Sequence, residues 1–396
     1  MTSPPRRLDV LFLTHNFPRH AGDFAGRFLH RFAGLLRARG IAVGVVAPHA
    51  PGIPEFEVMD DVPVWRFRYA ADAAETLAYR GDWGGASIFG PHGLWAHYRF
   101  FRAFAQTARR VAADTSPRVV HAHWWIPAGW VARPLARRHR LIVTSHGTDI
   151  RLLQRKAWMR PLARRVYGAA AQTTTVSGWM ADFVRATYPE LADRVGVAPM
   201  PPDDSIFHGT VRTTTGAPPI ILAVTRYTAQ KRNDVLVAAL ERLRQQGIDF
   251  RCRMIGDGGS ERARIEQLIR ERDLSSRVSL VASLPQTELA EEYRRADVTV
   301  LPAVDEGFGL ALLEAQLCGC AVIGAASGGI TDIVSDGQTG LLARPDDPAD
   351  LARCVKALLT DNDRRMRLAT AGQRVARATF SSTVIVDRFL SWYQLG

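Results

Sequence analysis

The sequence predicts an α/β fold made of two doubly wound, parallel-sheet domains joined by a short linker. Apolar strand-like runs alternate with amphipathic helical segments through most of the 396 residues. Because these runs are apolar throughout, they indicate parallel strands covered by helices on both faces of a sheet. The alternation breaks over residues 199–219, where five prolines occur, a composition typical of an interdomain linker. The expected division is a first domain over 1–200, a linker over 201–218 and a second domain over 219–380.

The strands and helices are placed from their apolar patterns. Six runs in the first half are predicted as strands: 9–14, 42–47, 62–69, 119–123, 141–145 and 173–176. Two amphipathic stretches in the same half are predicted as helices, 28–39 and 95–113. The second half repeats the alternation to about Leu342, and the chain is expected to end in helices at 350–359, 364–379 and 383–393.

Two carboxylates, Glu306 and Glu314, stand eight positions apart around a glycine-rich segment. The run 296–302 is predicted as a buried strand and the run from Leu310 as a buried helix, so the segment between them is a strand-to-helix crossover. An anion can bind there, because the first N–H groups of a helix lack partners and glycines permit close approach. The carboxylates are better suited to accept from hydroxyls. The segment fits a sugar nucleotide, although an acidic loop capping a core helix would show the same pattern.

A second group of charged residues follows another predicted strand. The run 220–225 delivers Arg226 and Lys231 into the next loop, where a guanidinium and an ammonium could neutralise a diphosphate. Lys231 is one of only three lysines among 51 basic residues, which suggests a selected point charge. The predicted diphosphate site comprises these two side chains and the backbone amides of Gly307, Phe308, Gly309 and Leu310.

The order of these motifs resembles the retaining glycosyltransferases of family 4, which have the GT-B fold and serve cell-wall, polysaccharide and glycolipid biosynthesis. The resemblance covers nearly the whole chain. In the first half it is carried by residues 14–19 and 22–28, by His121-Ala122-His123-Trp124 and by Ser145-His146-Gly147-Thr148-Asp149. In the second half it is carried by Arg226 with Lys231, by Gly256-Asp257-Gly258, by Glu306 with Glu314, and by residues 337–341.

The resemblance implies two Rossmann-like domains that face each other across a cleft, with a terminal helix at 381–396 packed on the first domain. It implies transfer of a hexose-type sugar from a UDP- or GDP-sugar to a hydroxyl of a glycan, a glycolipid or a small molecule. The anomeric configuration would be retained, the departing phosphate oxygen would take the acceptor's proton, and no metal or cofactor would be needed.

The resemblance also assigns roles to individual residues. His146 and Glu306 would be the catalytic residues, with His146 near the reacting carbon and Glu306 on the sugar hydroxyls. Glu314 would bind the ribose, and the loop at Gly22 would lie on the diphosphate side. Considered alone, His146 could equally be a strand-end histidine bonded to backbone.

Composition is consistent with a cytoplasmic enzyme. The four cysteines show no metal-type spacing, so reduced thiols are expected. The apolar run after the basic start of the chain is too short for a signal peptide, and no run reaches the roughly 18 apolar residues of a membrane span.

Positive charge is concentrated in the first half of the chain. Residues 1–200 hold 27 lysines and arginines against 14 acidic residues, whereas the remainder has a net charge of −1. An acceptor on an anionic membrane surface would explain this asymmetry. The stretch 94–110 interleaves arginines with aromatic residues, as interfacial helices do. The alternative is a core-facing stripe of Tyr98, Phe101, Ala105 and Ala108 with solvated arginines.

Metal and nucleic-acid binding are not expected. His121 and His123 share one face of a predicted strand, but no third ligand has helpful spacing, so a packed or substrate-facing role is favoured. The Asp361-Asn362-Asp363 run lies between helical patterns, where it would cap or turn. The pI near 10.2 is not accompanied by any helix-turn-helix, zinc-finger or RNA-binding signature.

Three other functions remain open from the sequence. A phosphorylase of the same fold would keep the arginine–lysine pair but accept inorganic phosphate. A sugar-nucleotide epimerase would convert the donor without an acceptor. A non-catalytic, membrane-associated protein would bind the nucleotide sugar without turnover.

Overall fold

The computed structural model describes residues 4–20, 23, 25–79, 91–213 and 218–395. Gly22 lies outside the described residues. The chain forms two compact units. The amino-terminal unit comprises Met1–Val176, Met180–Pro201 and Ile385–Gly396, and the carboxy-terminal unit comprises Ser177–Trp179 and Pro202–Val384.

The amino-terminal unit is built on an eight-stranded sheet in the order β3-β4-β2-β1-β5-β6-β7-β8. Only the pairing of β3 with β4 is antiparallel among the strands described. The sequence pattern did not predict β3, which is half-exposed, or β8, which has three residues. The strands are β1 Val10–Leu13, β2 Val43–Pro48, β3 Phe56–Met59, β4 Val62–Phe67, β5 Val119–His123, β6 Arg140–Ser145, β7 Gln172–Thr175 and β8 Val195–Val197.

The carboxy-terminal unit has a six-stranded, wholly parallel sheet in the order β11-β10-β9-β12-β13-β14. This is the 3-2-1-4-5-6 order of doubly wound nucleotide-binding sheets, in which ligands bind where the strand order reverses. Here the reversal lies between β9 and β12. The strands are β9 Ile220–Val224, β10 Arg251–Ile255, β11 Val278–Val281, β12 Val298–Leu301, β13 Ala321–Ala325 and β14 Leu341–Ala343.

Helices connect the strands of both sheets. Those that begin in the first half are α1 Arg27–Ala38, α2 Pro91–Thr115, α3 Trp130–Ala132, α4 Thr148–Arg155, α5 Arg160–Ala169 and α6 Gly178–Thr187. Those of the second half are α7 Asn233–Gln245, α8 Arg262–Glu271, α9 Gln286–Arg295, α10 Leu310–Leu317, α11 Ile330–Ile333, α12 Pro348–Thr360, α13 Asn362–Phe380 and α14 Ser382–Tyr393. Two α/β parallel-sheet units are therefore present, which confirms the predicted fold class.

The last helix, α14, belongs mostly to the amino-terminal unit. The Tyr393 hydroxyl lies 2.7 Å from Nδ1 of His121 on β5, and Nε of Arg140 donates to the carbonyl of Trp392 at 2.7 Å. Its aromatic side chains thus pack against the central strands of the first sheet.

The face on which helix α2 packs overlaps only partly with the alternative stripe considered from the sequence. The buried side chains include Phe100, Phe104, Ala108 and Val111, which recur every three or four residues along one face. Ala108 belongs to the alternative core stripe, but Tyr98 is 52 % exposed, so that stripe was wrong in including Tyr98. The cause is the pairing of Phe100 and Phe104 with Phe67 of β4, at ring-centroid distances of 5.0 and 4.4 Å. None of the helices that the structure describes is long and apolar enough to cross a bilayer.

Candidate functional site

Three loops of the carboxy-terminal unit meet at the edge where its parallel strands end, here called the carboxyl edge. They follow β9, β12 and β13, the strands around the reversal of strand order. The amide of Val304 donates to the carbonyl of Gln230 at 3.0 Å, and the amide of Gly329 donates to the carbonyl of Glu306 at 2.8 Å. Backbone hydrogen bonds therefore join the loop carrying Lys231 to the glutamate loop, and the glutamate loop to the glycine turn after β13.

Glycine is required in two of these loops by backbone conformation and space. Gly309 precedes α10 with φ of +101°, and Gly328 has φ of +59°, values that residues with a Cβ seldom adopt. A Cβ on Gly328 would lie 2.5 Å from the carbonyl oxygen of Glu306. The close approach of the two loops thus depends on the absence of a side chain at Gly328.

Lys231 and Glu306 form an ion pair at this edge. Nζ of Lys231 lies 2.7 Å from Oε2 of Glu306, and the two side chains are 19 % and 16 % exposed. The residues are 75 positions apart in sequence. The structure therefore brings together the lysine predicted to face the diphosphate and the glutamate predicted to face the sugar.

Arg226 follows β9 at the same edge and its side chain is exposed. Its guanidinium makes no ion pair or hydrogen bond with the described residues, whereas its carbonyl accepts from Nδ2 of Asn233 at 3.1 Å. The backbone is held in place while the charged group is available for an external anion.

The segment from Gly307 to Leu310 presents four consecutive amides. Within the described part of the chain, none of these N–H groups donates a hydrogen bond. Phe308 is buried and packs against Phe380 at a centroid distance of 5.4 Å, so it can serve a ligand only through its backbone. The start of α10 adds the positive end of a helix dipole.

Glu314 lies in the second turn of α10 and is half-buried. The hydroxyl of Tyr293 on α9 donates to its Oε2 at 3.1 Å. Burial raises the pKa of Glu314 to about 8, although the Tyr293 hydrogen bond opposes the shift. Burial also raises the pKa of Tyr293 well above 10, so this hydroxyl keeps its proton and acts as the donor. No motif in the sequence singled out Tyr293, because it is an ordinary core position of an amphipathic helix.

In the amino-terminal unit, histidines and a tryptophan gather where β1, β5 and β6 end. Nδ1 of His123 lies 3.1 Å from Nε2 of His146, and the ring of Trp124 lies 4.3 Å from that of His146. The ring of His15 lies 4.5 Å from that of Trp124. This is again the point where strand order reverses, between β1 and β5.

The buried carboxylate of Asp149 organises the loop that carries His146. It accepts hydrogen bonds from the amides of His146 at 3.0 Å, Gly147 at 3.1 Å and Trp125 at 3.2 Å. These bonds use backbone donors, so the imidazole of His146 takes no part in them. The aspartate of the His-Gly-Thr-Asp motif thus has a structural function.

Burial keeps the histidines of this cluster neutral. It lowers the pKa of His123 and His146 well below 6.5, and that of His15 to about 3. His121 differs from the others, because Nε2 lies 2.6 Å from the Thr144 hydroxyl and its other ring nitrogen contacts Tyr393. His121 is therefore a packed residue.

One cluster of the described residues is close enough to hold a metal ion, namely His49, Asp72 and Glu75. Both ring nitrogens of His49 already have partners, since Nδ1 lies 2.6 Å from Glu75 Oε2 and Nε2 lies 2.7 Å from the Ile53 carbonyl. The cluster is explained by these internal contacts and carries no metal assignment.

Comparison with known families matches both halves of the chain. Residues 25–205 match the family model described as Glycosyltransferase Family 4. Residues 211–375 match the model described as Glycosyl transferases group 1.

Named relatives and solved structures agree with these matches. A D-inositol 3-phosphate glycosyltransferase of Thermomonospora curvata is 32 % identical over 74 % of this chain and 75 % of its own. One of Xylanimonas cellulosilytica is 35 % identical over 66 % of this chain and 68 % of its own. The sucrose-phosphate synthase of Thermosynechococcus elongatus superposes with a TM-score of 0.79 at 22 % identity, covering 98 % of each chain. Anabaena HepE in complex with UDP and glucose superposes with a TM-score of 0.69 at 17 % identity, covering 97 % of this chain and 99 % of that one.

Proposed function

We infer the reaction of this protein from one premise: the chain belongs to the glycosyltransferases that join a family 4 domain to a group 1 domain in a GT-B fold. It is accordingly an enzyme that transfers a glycosyl group. We propose that the donor is a nucleoside-diphosphate hexose, with uridine or guanosine as the base, and that the acceptor is a hydroxyl. The observation that carries the donor assignment is the grouping of Arg226, Lys231 and Glu306 at the reversal of strand order.

The proposed chemistry follows from the charge that must be stabilised. Cleavage of the anomeric carbon–oxygen bond leaves a nucleoside diphosphate with new negative charge and a sugar with oxocarbenium character. Arg226, Lys231 and the amides from Gly307 to Leu310 form a preorganised positive site for this leaving group. The departing phosphate oxygen takes the proton of the attacking hydroxyl, and the new bond forms on the face that the diphosphate left. Retention and independence of metal are parts of this proposal.

The remaining residues are assigned to the sugar and the ribose. Glu306 accepts from sugar hydroxyls and contributes to catalysis, since it lies beside the lysine that faces the diphosphate. His146 is the catalytic residue proposed to contact the sugar near the reacting carbon. Glu314 is proposed to accept from the ribose hydroxyls.

Hydrolysis of nucleotide sugars in the absence of acceptor tests the proposal. We expect slow release of UDP or GDP from one donor, unaffected by a chelator. The Arg226→Ala variant is the control, because it keeps the fold but lacks the leaving-group contact. Phosphate-dependent release of sugar from a disaccharide would instead indicate a phosphorylase. Conversion of the donor sugar without nucleotide release would indicate an epimerase. Nucleotide binding without any turnover would contradict the transferase assignment.

The pH dependence of nucleotide binding should reveal the role of Glu314. Burial raises the pKa of its carboxyl to about 8, and the carboxylate accepts ribose hydroxyls better than the acid does. Binding then releases a proton, so the affinity for free UDP or GDP should rise by up to about tenfold per pH unit as the pH approaches 8 and level off above it. Isothermal titration calorimetry in buffers of different ionisation enthalpy measures both the affinity and the proton.

The Glu314→Gln variant is the matched control for this prediction. It cannot ionise, so its nucleotide affinity should be lower at pH 8 and should lose the proton release attributed to the carboxyl. The phosphates also titrate near pH 6, and this contribution is common to both proteins. Equal affinity and equal proton release in the two proteins would exclude the ribose role.

We also propose that the acceptor is presented on an anionic membrane surface that α2 contacts. Leu94, Trp95 and Tyr98 are 63 %, 59 % and 52 % exposed, and the last two rings stack at 5.3 Å. Exposed arginines follow on the same helix. Two of them, Arg99 and Arg110, line a cavity of about 550 Å³ between α2 and the end of β4. Aromatic residues beside unpaired arginines are typical of interfacial helices.

Binding of the protein to vesicles should rise with anionic lipid and fall as salt is added, because charges are screened beyond about 8 Å at physiological ionic strength. Replacing Arg99, Arg102, Arg109 and Arg110 with glutamine should reduce sedimentation with phosphatidylglycerol vesicles severalfold. Donor hydrolysis should be unchanged, since these residues lie outside the proposed donor site.

A variant with the same change in charge provides the control. Arg251, Arg270, Arg367 and Arg374 are exposed arginines of the carboxy-terminal unit, and their replacement with glutamine should leave vesicle binding intact. Equal losses in both variants would show a non-specific charge effect. If the wild-type protein stays in the supernatant at low salt, the acceptor is soluble, and D-inositol 3-phosphate, which the relatives' names specify, is the first to test.

A further inference from the structure

His123 is buried beside the proposed catalytic His146 but has no assigned role. It ends β5 and is 0 % exposed, and His146 follows the neighbouring strand β6. The two rings are in hydrogen-bond contact through Nδ1 of His123 and Nε2 of His146. Because burial keeps both imidazoles neutral, each carries one proton, and one ring must donate while the other accepts.

The second nitrogen of His123 decides the direction of this hydrogen bond. Nε2 of His123 is buried and has no hydrogen-bond partner among the described residues. If His146 donated, the single proton of His123 would lie on this atom and leave a buried N–H unsatisfied. Orphaned buried N–H groups are rarer than orphaned acceptors. The favoured arrangement puts the His123 proton on Nδ1, donated to His146.

The tautomer of His146 follows from this arrangement. Its Nε2 accepts from His123, so its own proton lies on Nδ1. No described residue hydrogen-bonds Nδ1 of His146, and the side chain is half-buried beside Trp124. The N–H is therefore available at the carboxyl edge of the first sheet.

We propose that His123 is a positioning residue that holds His146 as its Nδ1–H tautomer, so that His146 offers a hydrogen-bond donor to an oxygen of the substrate. Only the identity of that oxygen, on the donor sugar, rests on the proposed function. The tautomer itself is a property of the protein and can be measured without substrate.

Two-bond ¹H–¹⁵N correlation spectra of the full chain, labelled with ¹⁵N-histidine at neutral pH, test the proposal. The signals of His146 are identified by their loss in the His146→Gln variant. In the wild type we expect Nδ1 of His146 to show the upfield shift of a protonated ring nitrogen, and Nε2 the shift of an unprotonated one. The reverse assignment in the wild type would overturn the proposal.

Two substitutions of His123 separate positioning from packing. The Asn side chain can donate from the place of Nδ1, so His123→Asn should retain the Nδ1–H form of His146. His123→Phe keeps an aromatic ring but removes the donor, so both forms of His146 should become populated. An unchanged tautomer in the Phe variant would show that His123 does not control it.

Donor hydrolysis by the same proteins distinguishes this inference from the proposed function. We expect kcat to fall in the Phe variant and to recover in the Asn variant, with KM little changed. If the tautomers behave as expected but His146→Gln hydrolyses the donor at the wild-type rate, the catalytic role of His146 fails while the control by His123 stands.

Discussion

Replacing Arg226 with alanine should lower kcat for glycosyl transfer by about a hundredfold or more, the typical loss when a donor to a developing negative charge is removed. This loss of kcat should not be accompanied by the loss of an internal contact, because the guanidinium has no partner among the described residues and its removal leaves no unpaired charge. Lys231→Ala should cause a similar loss. Since it also removes the partner of Glu306, it should reduce thermal stability more than Arg226→Ala does. Steady-state kinetics and thermal unfolding of both variants measure these differences.

Arg251→Ala is the matched control for the arginine. Arg251 is exposed and begins β10 at the opposite edge of the same sheet, so its removal changes the charge equally but should leave kcat unchanged. Wild-type rates in folded Arg226→Ala and Lys231→Ala proteins would contradict the diphosphate assignment.

Glu306→Gln should lower kcat by a comparable factor while leaving the affinity for free nucleoside diphosphate equal or higher. The substitution preserves shape but removes the negative charge 2.7 Å from Lys231 Nζ. The lysine then has its full charge for the diphosphate, whereas the sugar loses a charged acceptor near the reacting carbon. Single-turnover kinetics report the chemical step, and calorimetric titration with UDP or GDP reports the affinity.

Glu292→Gln controls for the loss of a partly buried ion pair. Glu292 lies on α9, and its Oε2 is 2.7 Å from Nε of Arg253 on β10. The N–O distance is the same as in the Lys231–Glu306 pair, but the Glu292–Arg253 pair lies outside the three loops of the candidate site. This variant should retain full kcat. If Glu306→Gln instead weakens nucleotide binding with kcat unchanged, Glu306 is a nucleotide-binding residue and its proposed catalytic role is wrong.

The sequence predicted the elements whose causes are local. The apolar runs before Arg226 and Glu306 are strands, the segment after Gly309 is a helix, and glycine occupies the left-handed position that begins it. Such features depend on a few neighbouring residues, since parallel strands buried on both faces are apolar throughout and only glycine enters positive φ easily. The fold class and the family followed from the order of these local motifs.

The local sequence pattern therefore predicted two α/β units and the loops that carry charge at their strand ends. Which of those charges meet depends on the tertiary structure. The contact between Lys231 and Glu306 and that between Tyr293 and Glu314 depend on strand order and helix packing, which place distant segments together. The face of α2 was likewise decided by its packing on Phe67, because its aromatic residues allowed more than one core-facing stripe. The physical reason is that periodicity depends on neighbours along the chain, whereas the pairing of side chains and the burial that shifts their pKa values depend on contacts across it.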